Sequence, residues 1–113
     1  MKKTVKLKKN YEFKKVLTKG KYYSGRFLDV FVTKHQSPIN RIGIAVGVKV
    51  AKAVKRNRIK RLIFENYRLL EDELETGYRL VFLWKKKQDI RQATFQNIKK
   101  DMMDILKKIG MLS

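Results

Sequence analysis

Between Lys49 and Arg68, eight cations (Lys49, Lys52, Lys55, Arg56, Arg58, Lys60, Arg61 and Arg68) stand against a single acid, Glu65. Ammonium and guanidinium groups at this density are suited to neutralising phosphate, which arginine engages through a planar fork of donors. Ile59, Leu62, Ile63, Tyr67, Leu70 and Leu74 recur at three- and four-residue intervals, which predicts a helix from about Ala51 to Leu74. Projected on that helix, Arg58, Arg61 and Arg68 fall opposite the apolar stripe, and Lys55 and Arg56 flank its first turns. One flank therefore serves a core and the other an anion. A flank that is merely solvated alternates its signs to gain i,i+4 pairs, and this one does not. The free N–H groups and positive dipole end at the helix start add to the attraction for phosphate. Asn57, between two arginines, is either an ordinary surface amide or a group that binds a nucleotide edge or backbone oxygen.

Chemistry of other kinds has little to work with. RNA cleavage by protein groups needs a placed acid and base or metal-binding carboxylates. The single histidine, His35, falls in the polar turn His35-Gln36-Ser37-Pro38 and is expected to be solvated, so no catalytic residue is assigned. Glu71, Asp72, Glu73 and Glu75 crowd the end of the long helix, where a solvated terminus is expected rather than a metal site. The chain has no cysteine, which excludes disulfides, a thiolate nucleophile and the thiolate zinc sites of small nucleic-acid modules.

The whole chain of 113 residues reads as one domain, residues 1–113, with no repeat, linker or low-complexity tract. Lys and Arg number 29 against 10 Asp and Glu, a formal charge of +19, while 43% of the residues are hydrophobic. A folded domain this unbalanced repels itself unless a polyanion is its partner, and nucleic acid is the commonest one. The basic amino-terminal residues Met1 to Lys9 develop no apolar run of the secretory kind, and Leu80-Val81-Phe82-Leu83-Trp84 is far too short to span a bilayer. A soluble, cytoplasmic protein without a membrane partner is expected. The absence of compact helix-turn-helix or zinc-finger spacing argues against DNA.

The remaining elements follow from periodicity. A first helix is predicted from Asn10 as N-cap to the residue before Gly20, with Phe13, Val16 and Leu17 on one face. Tyr22-Tyr23 suggests a short strand. Phe27 to Thr33 alternates, with Leu28, Val30 and Val32 on one side and Phe27, Asp29, Phe31 and Thr33 on the other. Ile42 to Val48 sets branched residues against a bare face of Gly43, Ala45 and Gly47, which admits a neighbour at close range. Tyr78 to Trp84 reads as a strand buried on both faces, and a last helix is predicted from an N-cap at Thr94 to Gly110, with Phe95, Ile98, Met102, Ile105, Leu106 and Ile109 inward. The order α-β-β-β-α-β-α predicts an α+β domain, a two-layer sandwich of helices on a small mixed sheet.

The run Ala53-Val54-Lys55-Arg56-Asn57-Arg58-Ile59-Lys60-Arg61-Leu62-Ile63 resembles the signature of the bacterial ribonuclease P protein component. Asn10 to Leu17 with Gly20 is similar to that family's first helix and its stop, and Ile42 to Val46 to the strand before the motif. The resemblance implies a ribosomal-protein-like fold with a left-handed β-α-β crossover. It implies a subunit that binds the catalytic RNA of ribonuclease P and the 5′ leader of precursor tRNA, with cleavage carried by the RNA and its bound Mg2+. A ribosomal-type structural RNA-binding protein is the alternative. By the resemblance, Lys52, Lys55, Arg56, Asn57, Arg58, Lys60 and Arg61 hold the RNA, a set that the charge pattern extends to Lys49 and Arg68; Phe13, Leu17 and Phe31 match the family's leader cleft, for which Lys14 can supply a basic border. The chain departs from the family at Val48, where a basic residue is common, at Ala51, where glycine is, and at Phe64, which replaces a usually basic residue.

Overall fold

A computed structural model describes every residue from Met1 to Ser113. The elements are β1 (Thr4–Lys6), α1 (Asn10–Lys19), β2 (Lys21–Ser24), β3 (Leu28–Lys34), β4 (Asn40–Ala45), α2 (Ala53–Leu70), β5 (Tyr78–Trp84) and α3 (Phe95–Ile109). Five strands form one mixed sheet in the order β1-β4-β5-β3-β2. β4 runs parallel to both β1 and β5, while β3 is antiparallel to β5 and β2. α2 is the crossover between the parallel neighbours β4 and β5, and the α+β class expected from the pattern is present.

Alternation along the strands assigns the two faces. Leu28, Val30, Val32, Ile42, Leu80, Phe82 and Trp84 point to one side, where they form the main core with Ile59, Ile63 and Tyr67 of α2 and Ile98, Met102, Ile105 and Leu106 of α3. Each large aliphatic side chain buried there contributes roughly 1.5–3 kcal/mol. The other face carries α1 alone, with Val16 and Val81 buried on that side. The central strand β5 is thus covered on both faces, as its near-continuous apolar run predicts.

Several boundaries differ from expectation. β1 is absent from the predicted order because only Thr4 of its three residues is buried, so it leaves no hydrophobic pattern. It is tied down by polar contacts instead. Thr4 Oγ1 and Tyr67 Oη share a 2.8 Å hydrogen bond, and Asn40 Nδ2 donates to Tyr67 Oη at 3.3 Å and to the Glu75 carbonyl at 3.0 Å. Burial pushes the Tyr67 phenol above its ordinary pKa, which keeps it protonated in that network. Asn10 is the first helical residue rather than the cap; Lys9 holds the cap position without a side-chain bond. The long helix spans less than Ala51 to Leu74, ending at Leu70 in a 3-10 turn, Glu71–Glu73, while Leu74 beyond it stays buried. Phe27 precedes β3 rather than opening it, so it joins the main core and stacks on Trp84 at 5.6 Å instead of facing the side of Phe31. Thr94 does cap α3, accepting from the Asn97 N–H, and Gly110 ends that helix at a φ of 93°.

Two charged residues are turned inward as scaffolding. Asp101 of α3 accepts the backbone N–H groups of Arg26, Phe27 and Leu28 at 2.7, 2.9 and 2.8 Å, fastening the β2–β3 turn to the helix. A side chain on Gly25 would collide with the same carboxylate, which explains glycine at this turn. Glu71 is buried and accepts the Lys2 backbone N–H at 3.1 Å. The exposed acids beside it do not join it: nowhere in the chain do three metal-ligating side chains converge.

His35 is half-buried rather than solvated, and its Nε2 has no hydrogen-bond partner. Burial and the neighbouring Arg79 and Arg41 guanidinium groups hold its pKa below the ordinary value of 6.5.

Two outcomes follow from these contacts. Asp101→Asn keeps the volume but replaces one acceptor by a donor aimed at backbone N–H groups. It should cost about 2–4 kcal/mol of unfolding free energy in urea titrations, given ~1.5–3 kcal/mol for a charge-assisted hydrogen bond. For His35, the unfolded chain takes up the proton first as pH falls, so stability should be flat above neutrality and decline below the unfolded pKa of 6.5, down through the folded value. His35→Gln should flatten that part of the profile; a wild-type profile level between pH 7.5 and 5.5 would contradict the assignment.

Candidate nucleic-acid interface

The apolar stripe of α2 decides where its cations go. With Ile59, Ile63, Tyr67 and Leu70 locked into the core, Lys52, Lys55, Asn57, Arg58, Arg61 and Arg68 stand exposed on the outer side, together with Lys49 in the preceding turn. Lys49, Lys52, Lys55, Arg58, Lys60 and Arg61 have no acid within ion-pair distance, because the only salt bridges are Arg68–Glu65, Lys85–Asp29 and Arg91–Asp89. The first turn of α2 has no acidic residue and no side-chain cap, so its N–H groups remain free alongside these cations.

Two of the predicted residues have partners of their own. Arg56 is half-buried and donates from Nη1 to the Ala51 carbonyl at 2.7 Å, bracing the turn that leads into the helix. Arg68 donates to Glu65 at 2.9 Å, a bond that holds the Glu65 carboxyl below its usual range. That pair lies at the surface, where water and salt weaken it. Lys60 is half-buried on the flank nearest the sheet. Asn66, which the pattern did not single out, is buried and links α2 to α3 by donating to the carbonyls of Leu62 and Phe95 at 2.9 and 3.3 Å.

The second predicted surface lies on the face of the sheet that carries α1. Register places Gly43, Val81, Phe31 and Tyr22 side by side across β4, β5, β3 and β2, with Ala45, Leu83, Asp29 and Ser24 in the next row. The Phe31 and Tyr22 rings lie 5.1 Å apart, tilted by 38°, and form an aromatic pair on this face. Phe13 of α1 packs over Gly43, where a Cβ would approach its ring to 2.5 Å, so the bare strand face expected from the glycines seats this ring. Leu17 is half-buried one turn along and Lys14 is exposed. α1 covers only part of the face, leaving half-buried Phe31, Leu83 and Ala45 beside it. Tyr22, which completes the aromatic pair and donates to Asp29 at 2.6 Å, was legible only as a strand residue.

Phe64, the departure from the family pattern within α2, does not stand out in solvent. It is half-buried against the core, on the same flank as Lys60, and Lys6 Nζ lies 4.9 Å above its ring.

A five-stranded mixed sheet with a helix of uncompensated cations defines a small RNA-binding protein of the kind that works inside a ribonucleoprotein. Comparison with known proteins narrows the class. The sequence profile of the family described as Ribonuclease P matches residues 1–110. The ribonuclease P protein component of Clostridium botulinum (strain Langeland) is 42% identical over 106 residues, which cover 93% of this chain and 94% of that protein. That of Thermoanaerobacter sp. (strain X514) is 39% identical over 106 residues, covering 94% and 90%. Among solved structures, the Staphylococcus aureus RNase P protein superposes with a TM-score of 0.78 at 25% identity, covering 96% of this chain and 97% of that one. The Thermotoga maritima RNase P protein has the same fold, with a TM-score of 0.83 at 24% identity and coverage of 92% and 96%. The chain belongs to the ribonuclease P protein family. It is the protein subunit of an RNA-based endoribonuclease rather than a ribosomal-type structural protein.

Proposed function

We propose that the outer flank of α2 holds the catalytic RNA of ribonuclease P, and that the α1 face of the sheet holds the 5′ leader of precursor tRNA. The observation that carries the first part is the row of cations without acids. Lys49, Lys52, Lys55, Arg58, Lys60 and Arg61 are free to neutralise phosphates, and Arg68 exchanges its surface partner for one. Arg56 contributes its positive charge while keeping the turn at Ala51 in place, and the Asn57 amide adds donors and an acceptor between the two arginines. Loss of condensed counterions from the RNA drives such binding, so affinity falls steeply with salt.

For the leader, the cleft offers what an unpaired strand needs: aromatic faces and a basic border. Phe31 and Phe13 supply rings, Leu17 an apolar wall, and Lys14 a cation for the strand's phosphates. Mature tRNA lacks the leader, so this surface separates substrate from product.

The reaction needs Mg2+, which we assign to the partner RNA. The acids of this chain do not converge, and buried Glu71 is committed to the Lys2 N–H, so none is assigned to the metal. The protein's part is electrostatic. Its cations relieve repulsion between RNA phosphates that would otherwise demand more magnesium. A cytoplasmic location suits this reading, and no helix is long and apolar enough to cross a membrane.

Added to a bacterial ribonuclease P RNA, the purified protein should lower the magnesium needed for precursor tRNA cleavage. It should also tighten binding of precursor tRNA more than mature tRNA; equal effects on both would remove the leader cleft from the assignment. Arg58→Ala should weaken binding to the catalytic RNA and reduce the log–log salt slope by roughly 0.7–0.9, the contribution of one phosphate contact. A slope equal to that of the unsubstituted protein would mean that Arg58 meets no phosphate.

A further inference from the structure

We propose that a hollow beside the outer edge of β4 is a docking pocket for one unstacked nucleobase of the partner RNA, with Phe64 as its stacking platform. The proposal rests on the reading of the chain as an RNA-binding subunit and adds a base-contacting site to the phosphate contacts of α2. The hollow, about 290 Å³, lies between β1, β4 and α2, and Lys6, Ile42, Ile44, Lys60, Arg61 and Phe64 are among the residues that line it. Its size is at the small end of ligand sites, suited to one ring system rather than an extended molecule.

Three features converge on a base. The first is an open strand edge. The β1–β4 ladder runs from Thr4↔Asn40 to Lys6↔Ile42 and closes with the Leu7 N–H donating to the Ile42 carbonyl at 2.8 Å. Alternate residues of a strand aim their backbone groups the same way, so Ile44 directs its N–H and C=O outward past the end of β1, where no strand meets them. An adjacent donor and acceptor is the pattern that a base edge presents and can match. The second feature is the half-buried Phe64 ring in the wall of the hollow. Lys6 Nζ rests 4.9 Å above it, and the exposed lysine side chain is free to swing from ring to phosphate when a base takes its place.

The third feature is charge. Lys6, Lys60 and Arg61 surround the apolar lining with no acid paired to any of them. Lys60 and Arg61 also belong to the cationic helix, so a strand bound along α2 passes the mouth of the hollow. A free strand edge can instead accept a peptide strand. Three unpaired cations around an aromatic platform favour a nucleotide over a peptide.

The test uses the full-length protein and the ribonuclease P RNA that it serves, with affinity measured across salt concentration and unpaired bases probed by chemical modification. Phe64→Leu keeps an apolar side chain in the core while removing the aromatic face. It should weaken binding roughly ten-fold, the loss of one base–aromatic stack, without altering the salt slope, because stacking releases no counterions. One unpaired nucleotide shielded by the unsubstituted protein should become reactive in that complex, and Phe64→Tyr should keep it shielded. Unchanged affinity and footprint with Phe64→Leu would overturn the pocket as a base site. A loss of shielding spread over the whole footprint would also overturn it, assigning Phe64 to the scaffold. Failure of the unsubstituted protein to bind this RNA would remove the subunit reading itself, a different result from an unchanged Phe64→Leu.

Discussion

Repulsion among like charges is the constraint around which this fold is arranged. A formal charge of +19 on 113 residues opposes compaction, and a conventional solution would spread acids over the surface to neutralise it. This chain instead turns two acids inward. Asp101 and Glu71 accept backbone N–H groups, where they fasten a turn and the amino-terminal segment. Three others form ion pairs, and only the Glu65–Arg68 pair lies on α2. The cost of self-repulsion is met by the apolar core and by these anchors, so the outer flank of α2 keeps its positive field.

That arrangement places the two candidate surfaces on opposite sides of one sheet. α2 and α3 pack on one face, and the requirement that Ile59, Ile63 and Tyr67 stay buried fixes the rotation of α2. The other face is covered only by α1, whose ten residues leave Phe31 and Leu83 partly open. β5 joins the two, presenting Leu80 and Phe82 to the main core and Val81 to α1. The cationic flank of α2 and the aromatic pair of Phe31 and Tyr22 are thereby kept apart, and neither surface intrudes on the other.

The sequence displayed the parts with strong periodicity and hid those made by single polar atoms. The stripe from Ile59 to Leu70, the run Tyr78–Trp84, and the Thr94 and Gly110 ends of α3 were readable because each repeats or punctuates a pattern. β1 was invisible, since its placement depends on Thr4, Tyr67 and Asn40, residues far apart in sequence and joined only after folding. Phe27 lies on the opposite side from the one that alternation assigns it, because the strand starts at Leu28 and the pattern does not carry back across that boundary. For the interface, the sequence displayed the cations but not which of them already had partners. Arg56 is occupied by a carbonyl five residues back, a contact that no charge count reveals.

The anchoring of β1 also carries a kinetic consequence. Its strand partner is β4, and its buried hydroxyl bond reaches 63 residues along the chain to Tyr67. The Lys3 ammonium group bonds carbonyls 69 and 71 residues away. Contacts of such wide separation form late, because loop closure must precede them. The β1 stretch is therefore among the last to dock. Until it docks, Lys2, Lys3 and Lys6 lack the contacts that fix them in the folded chain.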